Sequence, residues 1–124
     1  MKEMLELALK TRENAYAPYS KFKVGATVKC SNGKLYAGCN VENASYGLSN
    51  CAERTAVFVA VANGEKEIEE LLLVTEGAAS PCGACRQVLA EFGVKKVHLS
   101  DTYGKIKSFT LQELLPHSFS GSDI

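Results

Sequence analysis

The chain carries no net charge, no long apolar run, no repeat and no low-complexity tract. Lys and Arg number 14 and so do Asp and Glu among 124 residues, a balance that argues against a surface built for polyanions. Nucleic acid is accordingly not expected as a partner. No stretch approaches the roughly 20 apolar residues of a membrane-crossing helix, so no membrane partner is expected either. Met1-Lys2-Glu3-Met4, with acids at 3 and 6, reads as the start of a helix and not as a signal peptide, and the expected location is the cytoplasm. With no linker to divide it, the chain is expected to form one domain over residues 1–124. A domain of that length buries roughly 65% of its unfolded surface, enough for a core without disulfide staples. The five cysteines, at 30, 39, 51, 82 and 85, are an odd number, which also argues against a disulfide framework and toward metal binding or catalysis.

Periodicity orders the chain. Met4, Leu5, Ala8, Leu9, Arg12 and Ala15 form a helical stripe over 2–17, ended by Pro18. Phe22, Val24, Ala26, Val28 and Cys30 alternate with Lys21, Lys23, Thr27 and Lys29, which predicts a half-buried strand with a solvated lysine face. Asn32-Gly33 predicts a two-residue hairpin turn. Leu35, Ala37, Cys39 and Val41 then continue the buried face. In that register Cys30 faces Leu35 and Cys39 faces Ala26, about 13 Å apart along the hairpin and too far for a disulfide.

Residues 51–63 read as a helix stopped at Gly64. The run Leu71-Leu72-Leu73-Val74 suits a strand covered on both faces. Pro81 opens a helix that Gly93 closes. Val94 to Ser100 and Lys105 to Phe109 read as an antiparallel pair, and Thr110 with Glu113 as the capping box of a last short helix. The order α-ββ-α-β-α-ββ-α predicts a three-layer α/β/α sandwich around a five-stranded mixed sheet.

Two segments concentrate the chemistry: Asn50-Cys51-Ala52-Glu53-Arg54 and Pro81-Cys82-Gly83-Ala84-Cys85-Arg86-Gln87. Each begins an expected helix. Cys82 and Cys85 are i and i+3 on one helical face and can meet at one ion, with Cys51 as a third ligand if the intervening strand runs parallel. Three thiolates on Zn²⁺ leave a charge of −1, which two helix N-termini and Arg54 would offset. Three protein ligands leave one tetrahedral position open, as in catalytic sites. Glu53 need not bind the metal and is placed to move protons from a zinc-bound water. Other readings of the same residues are a redox pair at Cys82 and Cys85, a closed structural zinc site with Cys39 or His98 as fourth ligand, and a zinc- or thiol-based binding module.

These motifs, with Phe22-Lys23-Val24-Gly25-Ala26 and Asn40-Val41-Glu42-Asn43-Ala44-Ser45-Tyr46, resemble the small homotetrameric cytidine deaminases, a family of zinc enzymes in the cytidine and deoxycytidylate deaminase superfamily. The likeness runs from about Pro18 to Phe119. It implies one Zn²⁺ per chain on Cys51, Cys82 and Cys85, with Glu53 as catalytic proton shuttle. It implies hydrolytic deamination of free cytidine and deoxycytidine through a zinc-bound hydroxide, in pyrimidine salvage. Asn40 and Glu42 would bind the ribose 3′-hydroxyl, Phe22 would pack on the nucleoside, and the Ala52 N–H would hold the pyrimidine 2-oxygen. Arg54 and Gln87 would stand behind these contacts. Tyr46 would reach across a subunit boundary and Phe119 would close a neighbour's site, in a homotetramer with shared active sites. Phe119, a lone aromatic in a Ser/Gly tail, independently suggests a partner surface.

His117-Ser118 and Glu76-Gly77-Ala78-Ala79 depart from the family pattern, in segments that shape the base pocket. A modified cytosine nucleoside of the blasticidin type is the alternative substrate.

Overall fold

The computed structural model describes all 124 residues. Helix α1 spans Lys2–Arg12, strands β1 and β2 span Gly25–Cys30 and Leu35–Cys39, and α2 spans Ala52–Ala62. Strand β3 follows at Ile68–Val74, α3 at Gly83–Glu91, β4 and β5 at Lys96–Ser100 and Ile106–Thr110, and α4 at Leu111–Leu114. The element order is the expected one. No helix is long and apolar enough to cross a membrane.

Helix α1 stops at Arg12, short of the expected residue 17. Beyond it the chain pairs with a distant segment. Tyr16 N–H donates to Asn40 O at 3.0 Å and Tyr16 O accepts from Glu42 N–H at 2.8 Å. Those backbone groups are no longer free to continue a helix.

The sheet order is β2-β1-β3-β4-β5. The β3–β4 pair is parallel and the other three are antiparallel. The β1–β2 loop holds three residues instead of two: Cys30 N–H donates to Lys34 O, Gly33 N–H to Cys30 O, and Gly33 sits at φ +85°. This is the three-residue hairpin whose last position needs a left-handed residue. The extra residue shifts the register, so Leu35 faces Lys29 and Cys39 faces Gly25. Cys30 and Cys39 remain free thiols.

Strand β1 is also not half-solvated. Thr27 is fully buried, its hydroxyl donating to Met4 O at 2.9 Å. Alternation marks two faces but cannot say whether a helix covers the second, and here α1 does. Lys21 and Lys23 precede the strand, leaving Lys29 alone within it. Val41 lies beyond β2 and is exposed, and within β2 only Gly38 is buried.

One face of the sheet packs Leu72 and Val74 against Met4 and Ala8 of α1. The other packs Ala26, Val28, Leu71, Leu73, Val97 and Leu99 against Ala52, Ala56, Val57 and Ala60 of α2 and Leu89 of α3. Each large side chain buried there stabilises the fold by about 1.5–3 kcal/mol. Gly38 lets the α2 backbone approach β2 closely. Helix α2 ends in a paired Schellman arrangement, with Glu65 N–H on Ala60 O and Gly64 N–H on Val61 O.

Both β2 and β3 run antiparallel to β1, so they point the same way. Their C-terminal ends therefore share one edge of the sheet, and α2 and α3 both begin there. This places the two cysteine segments together.

Candidate active site

Cys51 is the N-cap of α2 and Cys82 the N-cap of α3, both with extended backbone. Pro81 precedes the cap and is not the first helical residue, and Cys85 lies in the first turn. The sulfurs of Cys82 and Cys85 are 3.3 Å apart and those of Cys51 and Cys82 3.9 Å apart, and all three lie within 4.8 Å of one another. Tetrahedral Zn–S bonds of about 2.3 Å require S···S separations of about 3.8 Å, so the triad fits one zinc ion.

No fourth Cys, His, Asp or Glu joins the cluster. Cys39 stands outside it. His98 is buried in β4, its Nε2 2.8 Å from Glu70 and its Nδ1 2.7 Å from Ser108 Oγ. Its strand partner Leu72 belongs to the α1 face of the sheet, so His98 is committed elsewhere. The three-sulfur site is therefore open on one side, which removes the closed structural reading.

The electrostatics favour thiolate at Cys51. The first N–H groups of both helices lack intrahelical acceptors and bring partial positive charge to the sulfurs. Cys85 N–H donates to Cys82 Sγ at 3.4 Å and Arg54 Nη2 donates to Cys51 Sγ at 3.5 Å. The hydrogen bond from Cys85, opposed by burial and aided by Arg54, pulls the Cys51 thiol down to about 5. Cys85, as donor in that bond, is pushed up. Arg54 Nε is buried without a hydrogen-bond partner.

Beside the sulfurs opens a cavity of about 290 Å³. Glu53 lines it at 4% exposure, and burial raises its carboxyl above the usual range. Ala52, Phe22, Asn40 and Glu42 also line it, so the structure gathers five expected binding and catalytic residues at the sulfurs' edge. No Lys, Arg or His does.

Asn40 and Glu42 have internal duties as well. Asn40, 8% exposed, donates from Nδ2 to Phe22 O at 2.7 Å and accepts from Val24 N–H at 2.9 Å. Glu42 accepts from the N–H groups of Tyr19 and Ser20 and from the Ser20 hydroxyl. The Ser20 bond contributes most to holding its carboxyl below the usual range.

Tyr46 and Phe119 lie outside the cavity. Tyr46 is 76% exposed and meets Tyr19 edge-on at 6.2 Å, lining an adjoining recess. Phe119 is 59% exposed. Gln87 Nε2 donates to Phe119 O at 3.0 Å, tying the tail to α3.

Three residues were not singled out from sequence. Arg86 donates to Pro81 O, Ser80 Oγ and Leu114 O, joining the cavity rim to α4. Thr75 Oγ1 accepts from Ala79 N–H at 2.6 Å, shaping the 76–80 loop in which Ala78 is left-handed. Ser20 lines the cavity. Position relative to a motif marks Arg86, but nothing local reveals acceptors that arrive from other elements.

Comparison with known proteins agrees with this arrangement. Residues 1–100 match the family model described as the cytidine and deoxycytidylate deaminase zinc-binding region. The chain is 48% identical to the cytidine deaminase of Sporosarcina psychrophila, covering 100% of this chain and 94% of that protein. It is 45% identical to the cytidine deaminase of Halalkalibacterium halodurans, covering 98% and 95%. The crystal structure of cytidine deaminase from Burkholderia pseudomallei superposes with TM-score 0.90 at 48% identity, over 95% of this chain and 98% of that one. A zinc-sized corner of three cysteines at two helix starts, a buried glutamate beside it and end-to-end likeness in sequence and fold together make this chain a member of the cytidine and deoxycytidylate deaminase family of zinc enzymes.

Proposed function

We propose that the protein, acting as one domain over residues 1–124, hydrolyses free cytidine and 2′-deoxycytidine to uridine and 2′-deoxyuridine with release of ammonia, in pyrimidine salvage. The observation that carries this reading is the pairing of an open three-sulfur corner with a cavity that no Lys, Arg or His side chain lines. A 5′-phosphate would need Lys, Arg or a helix N-terminus of its own, and Glu42 would repel it. A neutral nucleoside meets no such penalty. The same lining gives no support to a modified cytosine nucleoside over the plain one.

Zn²⁺ held by Cys51, Cys82 and Cys85, one per chain, would supply Lewis acidity and bring the pKa of a water toward about 7. The residues of this chain do the rest. Glu53 takes a proton from the attacking water as its oxygen bonds to C4 of cytosine, and delivers that proton to N3. It then carries the hydroxyl proton to the exocyclic amine, the C4–N bond breaks, and ammonia leaves. The Ala52 N–H, unpaired at the start of α2, receives the pyrimidine 2-oxygen. Phe22 packs on the nucleoside while Asn40 and Glu42 meet the 3′-hydroxyl. Arg54 holds Cys51 in place.

We also propose a homotetramer with shared sites. Helix α2 is apolar nearly all round: past Arg54 it carries no charge, and Phe58, Val59 and Val61 face outward. Such a helix belongs between layers, not at a surface. Tyr46 and Phe119, exposed in one chain, are then free to reach a neighbour.

The test is ultraviolet-monitored turnover of cytidine, deoxycytidine and cytidine 5′-monophosphate by the zinc-loaded protein, with ammonia release as confirmation. Rapid turnover of both nucleosides and little of the nucleotide is expected. Protein that binds one zinc per chain yet leaves cytidine intact would overturn the reading.

A further inference from the structure

We infer that Ser20 is a positioning residue that sets Glu42 and Phe22 for the sugar of the nucleoside, an inference that rests on the deaminase reading above. Its hydroxyl donates to Glu42 Oε2 and accepts the Phe22 N–H at 3.0 Å, so one side-chain oxygen joins both groups. Glu42 Oε1 is filled by the N–H groups of Tyr19 at 3.0 Å and Ser20 at 3.1 Å. A carboxylate offers about four acceptor positions, so the remaining one lies on Oε2, the oxygen that Ser20 orients. Glu42 and Ser20 both line the cavity and the adjoining recess, which leaves that acceptor available to a sugar hydroxyl.

The backbone between the two partners is strained, which makes the serine's grip matter. Lys21, between Ser20 and Phe22, sits at φ +61°, a left-handed conformation unusual for a residue with a side chain. Its own N–H is held on Ala17 O at 3.0 Å. With the bond from Phe22 to Ser20 in place, the turn is fixed on both sides. Remove the hydroxyl and three things loosen together: Glu42 Oε2, the Phe22 backbone and the Lys21 turn. The sulfurs and Glu53 stand on other elements, at the starts of α2 and α3, and none of their hydrogen bonds runs through Ser20.

The effect should therefore appear in binding and not in chemistry. Ser20→Ala is expected to raise KM for cytidine about tenfold with kcat near the wild-type value, the loss typical of a hydrogen bond to a charged group. For 2′,3′-dideoxycytidine, which lacks the hydroxyl that Glu42 would meet, the same variant should raise KM by a smaller factor, the share that Phe22 carries. Ser20→Thr keeps the hydroxyl and is expected to stay close to wild type, and the thermal midpoint of each variant reports on folding. An equal rise in KM for both nucleosides, or an unchanged KM for cytidine, overturns the assignment while leaving the deaminase reading intact. Wild-type protein that fails to deaminate cytidine removes the deaminase reading and this inference with it.

Discussion

The Asn40 side chain spans the strand end beneath Phe22, donating to the Phe22 carbonyl at 2.7 Å and accepting from Val24 N–H at 2.9 Å. An amide can do both at once with two separate atoms, because it carries donor and acceptor on one plane. Asn40 thereby fixes the segment that carries the aromatic wall of the cavity.

Asn40→Asp should lose that arrangement. A carboxylate cannot donate to the Phe22 carbonyl and would sit buried against it, so a loss of about 2–3 kcal/mol in unfolding free energy is expected. Urea unfolding checks the stability, and KM for cytidine should rise in parallel because Phe22 is no longer held.

Glu53→Gln keeps size and burial but cannot relay protons. Turnover should fall by at least about 10²–10⁴-fold, the usual range for a general acid–base group. Zinc content should stay at one per chain, since the sulfurs cluster without Glu53. Metal analysis beside the ultraviolet assay separates the two, and undiminished turnover would remove Glu53 from the chemistry.

Gly38→Ala tests how β2 meets α2. A Cβ there would collide with the Ala56 backbone nitrogen and lie 2.8 Å from the Thr55 carbonyl carbon, neither of which can rotate away. Overpacking of this kind costs about 1–3 kcal/mol. Because α2 carries Cys51 at its cap, zinc affinity measured by chelator competition should weaken as well.

The Glu70–His98 pair gives stability a pH dependence. The hydrogen bond from His98 holds the Glu70 carboxyl below its usual range, with Lys29 4.0 Å away adding to it. The unfolded chain, with a carboxyl near about 4.3, binds that proton more readily, so this contribution is present above that pH and lost as pH falls toward the folded value. Glu70→Gln removes it. The urea midpoint of the variant should lie below wild type at pH about 6, and the gap should narrow below pH about 4. Glu42 and Glu65, also held low, titrate in both proteins and cancel. A gap that stays constant with pH would contradict the assignment.

What the sequence determined by itself is what neighbours along the chain decide. The order of helices and strands, the Gly64 and Gly93 helix stops, the capping box at Thr110 and Glu113, and the Cys-Ala-Glu and Pro-Cys-x-x-Cys spacings are all local, and all appear in the fold. Spacing alone put Cys82 and Cys85 on one helical face. It could state the convergence of Cys51 only as a condition on strand direction.

Tertiary structure decided that condition, because β1 lies between β2 and β3 and makes them point the same way. It also decided where backbone pairing outcompetes local preference. Helix α1 ends at Arg12 because residues 40–42 take the backbone groups of Tyr16, and Thr27 is buried because α1 lies across it. The hairpin register turned on one left-handed glycine, a difference of a single residue that alternation does not resolve. The supporting roles of Ser20 and Arg86 depend on Glu42 and Leu114, acceptors that folding brings from elsewhere. A hydrogen bond requires its partner within about 3 Å, and for residues far apart in the chain only the folded structure provides that closeness.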